Sequence, residues 1–178
     1  MDRRKSGTAI HVASDAYGMP LGAVISAANV NDSVKTQEVL ESLVVKPPAA
    51  EVPVAQPDPR DLPHARADGA YGNRPSKQRA AAAGFGLEAP RRGRPRPAGV
   101  GRIRCAVERC HAFFAQFGRI ARRLDRLAER YLGWVQLAAC VIFLRHDANA
   151  TALSRYSLEA LGVTAKVLLG GIAAHPIE

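Results

Sequence analysis

Six prolines fall between Lys46 and Pro63, in PPAAEVPVAQPDPRDLP. Proline has no backbone N–H, clashes with a helix interior and cannot donate to a β-ladder. The segment 46–63 therefore reads as a long loop, and regular structure has to be assembled from what lies on either side of it. At 178 residues the chain has room for one ordinary domain. Its 47% hydrophobic and 23% charged content suits a packed core rather than a disordered chain.

Before the loop, Thr8, Ile10 and Val12 alternate along a strand from Thr8 to Ser14. Asp15-Ala-Tyr-Gly-Met-Pro20 is turn chemistry, and Leu21 to Ala27 reads as the returning strand of a hairpin. Asn31 or Asp32 is placed to cap a helix over Ser33 to Val44. After the loop, His64 to Ala67 is too short to assign from periodicity. Asp68-Gly-Ala-Tyr71-Gly-Asn is a turn, Pro75 to about Ala83 a helix closed by Gly84, and Gly86 to Pro90 a short strand. Arg91 to Gly101, RRGRPRPAGVG, reads as a basic loop.

The clearest helix is Ile103 to Phe117, where Ile103, Val107, Cys110, Phe114 and Phe117 recur at steps of four and three before Gly118. A second helix is expected to carry Ile120, Leu124, Leu127 and Tyr131 on one stripe. A third, Trp134 to Leu144, is apolar on all sides and is expected to be buried. Residues 147–178 show no convincing period and stand as an unassigned tail after a unit spanning 1–146.

Several classes are excluded. The longest apolar stretch, Tyr131 to Leu144, is interrupted by Gly133 and Gln136 and is short for a membrane span. MDRRKSGTAIHVASD has no apolar run behind its basic residues, so no secretory leader is expected. Cys105, Cys110 and Cys140 lack the paired spacing of a zinc site and are too few for a disulfide scaffold, which suits a reducing cytoplasm and small core fillers.

The net charge of +9 is localised. Arg91 to Arg130 contains twelve Arg against Glu108, Asp125 and Glu129, while the rest of the chain sums to zero. Every cation in that stretch is Arg, whose planar fork suits bidentate contact with phosphate oxygens. Arg91, Arg92, Arg94, Arg96, Arg109, Arg119, Arg122 and Arg123 are the candidate nucleic-acid contacts, set against the plainer reading of a soluble basic face.

Asp68 and Glu108 are the candidate chemistry-bearing carboxylates. Arg104, Glu108, His111 and Ala115 follow at steps of four, three and four and share a helix face. That spacing sets Glu108 at the edge of the core, as an ion-pair anchor to the Arg side chains or as a metal ligand. Asp68 before Gly69 is equally ordinary turn chemistry. Facing each other, the two acids would bind Mg²⁺ or Mn²⁺ through oxygen and present it to phosphate. His111, one turn from Glu108, is either a further ligand or a packed residue. Tyr71 and Tyr131 either stack on bases or belong to the core.

Three segments, in order, resemble bacterial insertion-sequence DDE transposases of the cut-and-paste type. RRKSGTAIHVASDAYGMPLGAVISAANVNDS is similar to their strand-turn-strand segment, and ADGAYGN to the motif of their second catalytic Asp. RIRCAVERCHAFFAQFGRIARRLDRLAERYLGWVQLAACVIFLR is similar to the segment bearing their catalytic Glu. The resemblance runs, with gaps, from about Arg3 to Arg145.

It implies an α/β (α+β) fold, an RNase H-like mixed sheet flanked by helices, in which three acids gather two divalent metals. On it, Asp68 matches the second Asp, Glu108 the Glu, and Arg104 an auxiliary Arg that orients or screens the acid. The family's first Asp lies on a strand upstream of the RRKSGT segment. Asp2 is too close to the basic run to be that residue, and Asp15 matches a non-catalytic turn acid. Ala115 and Gly101 also depart from the family, at positions where it often has a basic residue and a Tyr. The expected product is a truncated transposase lacking its first strand, cytoplasmic and nucleoid-associated. Its partner is DNA bearing the terminal inverted repeats of a mobile element, with a homo-oligomer also open. Metal-dependent strand cleavage and transfer competes with a non-enzymatic role as a DNA-binding remnant or regulator of an intact transposase.

Overall fold

The computed structural model describes the backbone of residues 7–44, 62–90, 100–153 and 167–174, and the side chains of 7–44, 62–90 and 105–146. The expected hairpin is present. β1 (Thr8–Ser14) and β2 (Pro20–Ala27) pair antiparallel, and the register shifts between Ala13 and Ser14 to accommodate one extra residue on β2. The Asp15 carboxylate closes the turn by accepting the N–H groups of Tyr17 and Met19, each at 2.8 Å. Asn31 caps a short 3-10 turn (Asp32–Lys35) by accepting from the Ser33 N–H, and α1 (Thr36–Glu41) follows. The expected single helix is therefore shorter and begins tighter, with Thr36 Oγ1 donating back to the Ser33 carbonyl at 2.7 Å.

β3 (His64–Ala67), the segment too short to assign from sequence, is a strand running parallel to β4 (Gly86–Glu88). Between them lies α2 (Arg74–Ala82), opened by the Asn73 cap and ended near Gly84, which takes φ +82°. The proline-rich segment falls almost wholly outside the described residues.

The carboxyl-terminal half departs most from expectation. α3 (Val100–Ala115) and the short α4 (Gly118–Ala121) form, but 122–127 is not helical, so no second helix runs from Ile120 to Tyr131. Of its expected stripe only Ile120 and Tyr131 are buried, while Leu124 and Leu127 are exposed. A single helix, α5 (Ala128–Leu153), replaces the expected third one. It is not buried on all sides: Val135, Ala138 and Ile142 face in, but Leu137, Phe143 and Leu144 face out.

The segment left without an element supplies the middle of the sheet. β5 (Val167–Ala174) lies antiparallel to β1, Val12 opposite Gly170, and parallel to β3, Ala67 opposite Leu169. The sheet order is β2-β1-β5-β3-β4. This is a mixed sheet with helices on both faces.

Alternation along β1 divides the core. Ile10 and Val12 join Ala106, Val107, Cys110 and Phe114 of α3 and Tyr131, Val135, Ala138 and Ile142 of α5 on one face. Ala13 joins Val39 and Leu40 of α1, Ala65 and Ala67 of β3, Tyr71 and Ala80 on the other. All seven residues of β1 are buried, because strands flank both its edges and helices cover both its faces.

Gly18 fixes how the hairpin meets α3. It adopts φ +87°, and a Cβ there would sit 2.8 Å from the Ala106 carbonyl oxygen. Gly18→Ala is expected to destabilise the chain by about 1–3 kcal/mol, read as a lower urea midpoint at unchanged slope.

His11 is the most deeply buried ionisable side chain on the α1 face, 1% exposed. Its Nε2 lies 2.7 Å from Ser26 Oγ, and its Nδ1 3.5 Å from Asp32 Oδ1. Desolvation lowers its pKa from 6.5, against the opposing pull of Asp32 and Glu38 and with that of Lys35. The folded chain thus binds fewer protons than the unfolded one just below pH 6.5. Stability is complete above that pH and is lost as pH falls toward the lowered value. Urea melts across this window should show the decline in the parent chain and a flatter profile in His11→Gln.

Candidate active site and nucleic-acid surface

Asp68 directly follows β3. Ala65 and Ala67 point into the α1/α2 core, and Asp68 itself has extended backbone, φ −73° and ψ 177°. Continued alternation would carry its side chain to the face opposite Ala65 and Ala67. The carboxylate is exposed and accepts the Ala70 N–H at 2.9 Å, so it caps the 3-10 turn Gly69–Tyr71. The turn role and a ligand role are compatible, since a carboxylate offers more lone pairs than one N–H uses. On the same sheet face Arg66 Nε donates to Glu88 Oε2 at 2.8 Å, and His64 Nδ1 lies 3.6 Å from Glu88 Oε1. That half of the sheet is polar.

Glu108 lies on the exposed side of α3 rather than at the edge of the core. The helix buries Ala106, Val107, Cys110, His111 and Phe114, so His111 turns inward while Glu108 and Ala115 turn outward. The shared face expected for these residues is split, because His111 is drawn onto the side that packs. The Arg104 backbone is helical and its side chain lies outside the described residues. Asp68 follows β3 and Glu108 lies on α3, and β3 and α3 each contact β5. Among the described residues no three His, Cys, Asp or Glu side chains converge to hold a metal ion.

Both tyrosines are core residues. Tyr71 is 4% exposed, and burial, with Asp32 and Asp68 adding to it, raises its pKa far above the ordinary value. Tyr131 is fully buried and donates to the Ile120 carbonyl at 2.9 Å. Neither is available to stack on a base. Cys110 is a core filler whose thiol is pushed up to about 12 by burial, whereas Cys105 and Cys140 are exposed, contrary to expectation.

The arginines divide by task. Arg91, Arg92, Arg94 and Arg96 lie outside the described residues. Arg123 is built into the fold: Nε donates to the Asp125 carbonyl at 2.9 Å, Nη2 to the Arg126 carbonyl at 3.1 Å and Nη1 to Thr8 Oγ1. Its guanidinium also lies 5.3 Å from the Tyr131 ring centre. It ties the start of β1 to the α4–α5 connection.

Arg109 donates to the Tyr17 carbonyl at 3.2 Å from the exposed side of α3. Arg119 stacks over Trp134 at 4.7 Å and remains exposed. Arg122 is exposed, as are Arg126 and Arg130, which belong to the basic stretch but escaped the sequence-based set. The recess beside Arg119, about 350 Å³ and lined by Phe117, Ile120, Trp134 and Leu137, is apolar.

Residues 2–144 match the family described as Transposase DDE domain. The chain belongs to the DDE transposase family. It is also similar to a Burkholderia cepacia protein named as a transposase for insertion sequence element IS402. The two are 30% identical over 146 residues, which is 79% of this chain and 64% of that relative's length. No solved structure matches. The family match ends before β5. Among the described residues no helix is long and apolar enough to cross a membrane.

Arg122 and Arg123 are adjacent and differ in task. Arg123→Ala is expected to lower stability by about 1–3 kcal/mol by removing three bonds and a ring contact. Arg122→Ala should stay within about 0.5 kcal/mol of the parent. Parallel urea melts check both.

Proposed function

We propose that this chain binds the DNA of a mobile element through the exposed arginines of α3 to α5, and that Asp68 and Glu108 carry metal-dependent strand cleavage there. The observation that carries the binding half is the concentration of exposed Arg109, Arg119, Arg122, Arg126 and Arg130 on one consecutive stretch, whereas Arg123 is half-buried and bonded to Thr8. Their forks match phosphate oxygens, and such binding weakens as salt rises. The mixed sheet with helices on both faces supports reading the fold as RNase H-like, and the terminal inverted repeats of the element are the expected binding site.

The donor chemistry of Asp68 and Glu108 fits Mg²⁺ or Mn²⁺, hard ions held by one or two carboxylates together with water and substrate phosphate. Bound there, such an ion would supply Lewis acidity at the phosphodiester. The chain's own part is positional. Asp68 is held by its cap to the Ala70 N–H at the end of β3, Glu108 stands on the exposed side of α3, and the arginines hold the backbone of the DNA. Among the described residues no three-ligand group converges, and water and substrate phosphate would complete the ligand set beside the two carboxylates. The same observation favours a second reading, DNA binding without cleavage, in which the chain is a remnant or regulator of an intact transposase.

A supercoiled-plasmid assay with Mg²⁺ or Mn²⁺, run beside Asp68→Ala and Glu108→Ala, separates the two. Metal-dependent nicking lost in both variants establishes the first reading. Plasmid retention without nicking establishes the second. No retention even at low salt, or retention indifferent to rising salt and to the arginine changes, would sink both. With four phosphate contacts, affinity should fall on the order of 100-fold between about 50 and 200 mM salt. Arg122→Ala with Arg130→Ala should make the log–log slope shallower by about two.

A further inference from the structure

We propose that Ser26, His11 and Asp32 form a nucleophilic relay that takes the acyl group of a small ester. The set shares no residue with the Asp68 and Glu108 pair or with the exposed arginines. The hairpin register brings its first two members together. In the β1–β2 ladder Ser26 lies opposite Ala9 and His11 opposite Val24, so Ser26 and His11 are diagonal neighbours on one face of the sheet. Ser26 Oγ is 2.7 Å from His11 Nε2. The other ring nitrogen, Nδ1, is buried and has no hydrogen-bond partner among the described residues, and the Asp32 carboxylate stands 3.5 Å from it.

The order of these contacts is what gives the serine its chemistry. A proton on Nδ1 would face the carboxylate favourably, whereas a lone pair there would meet it with like charge. Nδ1 therefore carries the hydrogen, and Nε2 keeps the lone pair that accepts the Ser26 proton. Desolvation, the largest influence on His11, lowers its pKa, so the imidazole stands in its neutral, basic form near neutral pH. The other acceptor open to the hydroxyl is the Ala27 carbonyl at 3.0 Å, the longer of the two contacts and already bonded by the Val30 N–H. Asp32 begins the 3-10 turn that Asn31 caps, and it acts through His11 as a positioning residue.

The site lies at the border of the sheet. β2 is the end strand of the described sheet, Ser26 and Asp32 are half-buried, and Ala27 is exposed. Ala28 N–H donates to the Gly7 carbonyl at 2.9 Å. Bonded pairs alternate along an antiparallel ladder, so the next pair, Ala27 with Thr8, is a non-bonded one and the Ala27 N–H points away from β1. A backbone N–H directly after the nucleophile is a donor suited to a developing oxyanion. The small neighbours Ala27 and Ala28 suit a short acyl chain.

The reaction balances with water as the only co-reactant. Ser26 Oγ bonds to the acyl carbon, its proton passes to His11 Nε2, and the ester C–O bond breaks as that proton moves to the leaving oxygen. Water then gives a proton to His11 and bonds to the acyl carbon. The Ser26 C–O bond breaks, the proton returns to Oγ, and a carboxylic acid leaves.

The full chain is mixed with p-nitrophenyl acetate, nitrophenolate release is followed by absorbance, and the acetyl group is located by peptide mass mapping. The relay predicts acetyl on Ser26 in the folded chain and none there in urea, a comparison that needs no variant. Ser26→Ala should abolish that adduct and the fast phase of release, and His11→Gln should slow it on the order of 100-fold. Asp32→Asn should slow it too, and Asp32→Glu should restore it, a rescue that a purely structural role at the turn would not give. Acetylation confined to lysines, release unchanged in Ser26→Ala or His11→Gln, or Ser26 acetylated equally in urea overturns the proposal. The readout needs neither DNA nor metal.

Discussion

The fold depends on a single set of backbone pairings. β1 with β2 makes one half of the sheet, β3 with β4 the other, and among the described strands only β5 bonds to both. Each half alone is two strands wide, below the size at which a sheet is stable in water. The two halves also hold the candidate site apart or together, since Asp68 ends β3 while α3, carrying Glu108, rests on β1 and β5. Whatever geometry the two carboxylates reach is set by a strand that bears no carboxylate itself.

Around that strand the helices do complementary work. α3 is fixed from above the sheet by the close approach of Gly18 to its backbone, and α4 and α5 are pinned by Tyr131 and Arg123. These contacts are local and geometrically demanding. They leave the outer side of α3 and the α4–α5 connection to charged residues, Glu108 and the exposed arginines among them, while buried apolar residues hold the scaffold. Arg123 shows that a basic run is not functionally uniform. Within three residues, one guanidinium faces solvent and the next is bonded to Thr8, more than a hundred positions away in sequence.

The parts legible in the sequence were those whose signal is local. Asp15 and Gly18 identify a turn because both act within six residues, and the four-three spacing of Val107, Cys110 and Phe114 reports directly on which side of α3 packs. The stripe of Ile120, Leu124, Leu127 and Tyr131 misleads for the same reason. Its period suits a helix, but tertiary contacts of Ile120 and Tyr131 with α3 and β1 outweigh it, and Leu124 and Leu127 are left outside. β5 is invisible to pattern. A strand bounded by partners on both edges inside a two-layered core has no polar face to alternate with, and VLLGGIAA reads equally as a piece of helix or loop. Of the site, the residue types and their family order could be read, whereas the exposure of Glu108 and the burial of His111 are set by packing in three dimensions.

The order of the strands in the sheet bears on how the chain leaves the ribosome. Among the described strands the middle one is made last, about a hundred residues after β3. At the usual pace of roughly 5–20 residues per second, that leaves the two halves of the sheet unjoined for on the order of ten seconds. Throughout that interval β1 and β3 both have an open edge beside apolar surface, the condition that holdase chaperones recognise. A product that stops short of β5 keeps both edges open. Synthesis through β5 is therefore, for this protein, the step that joins the two halves of the sheet.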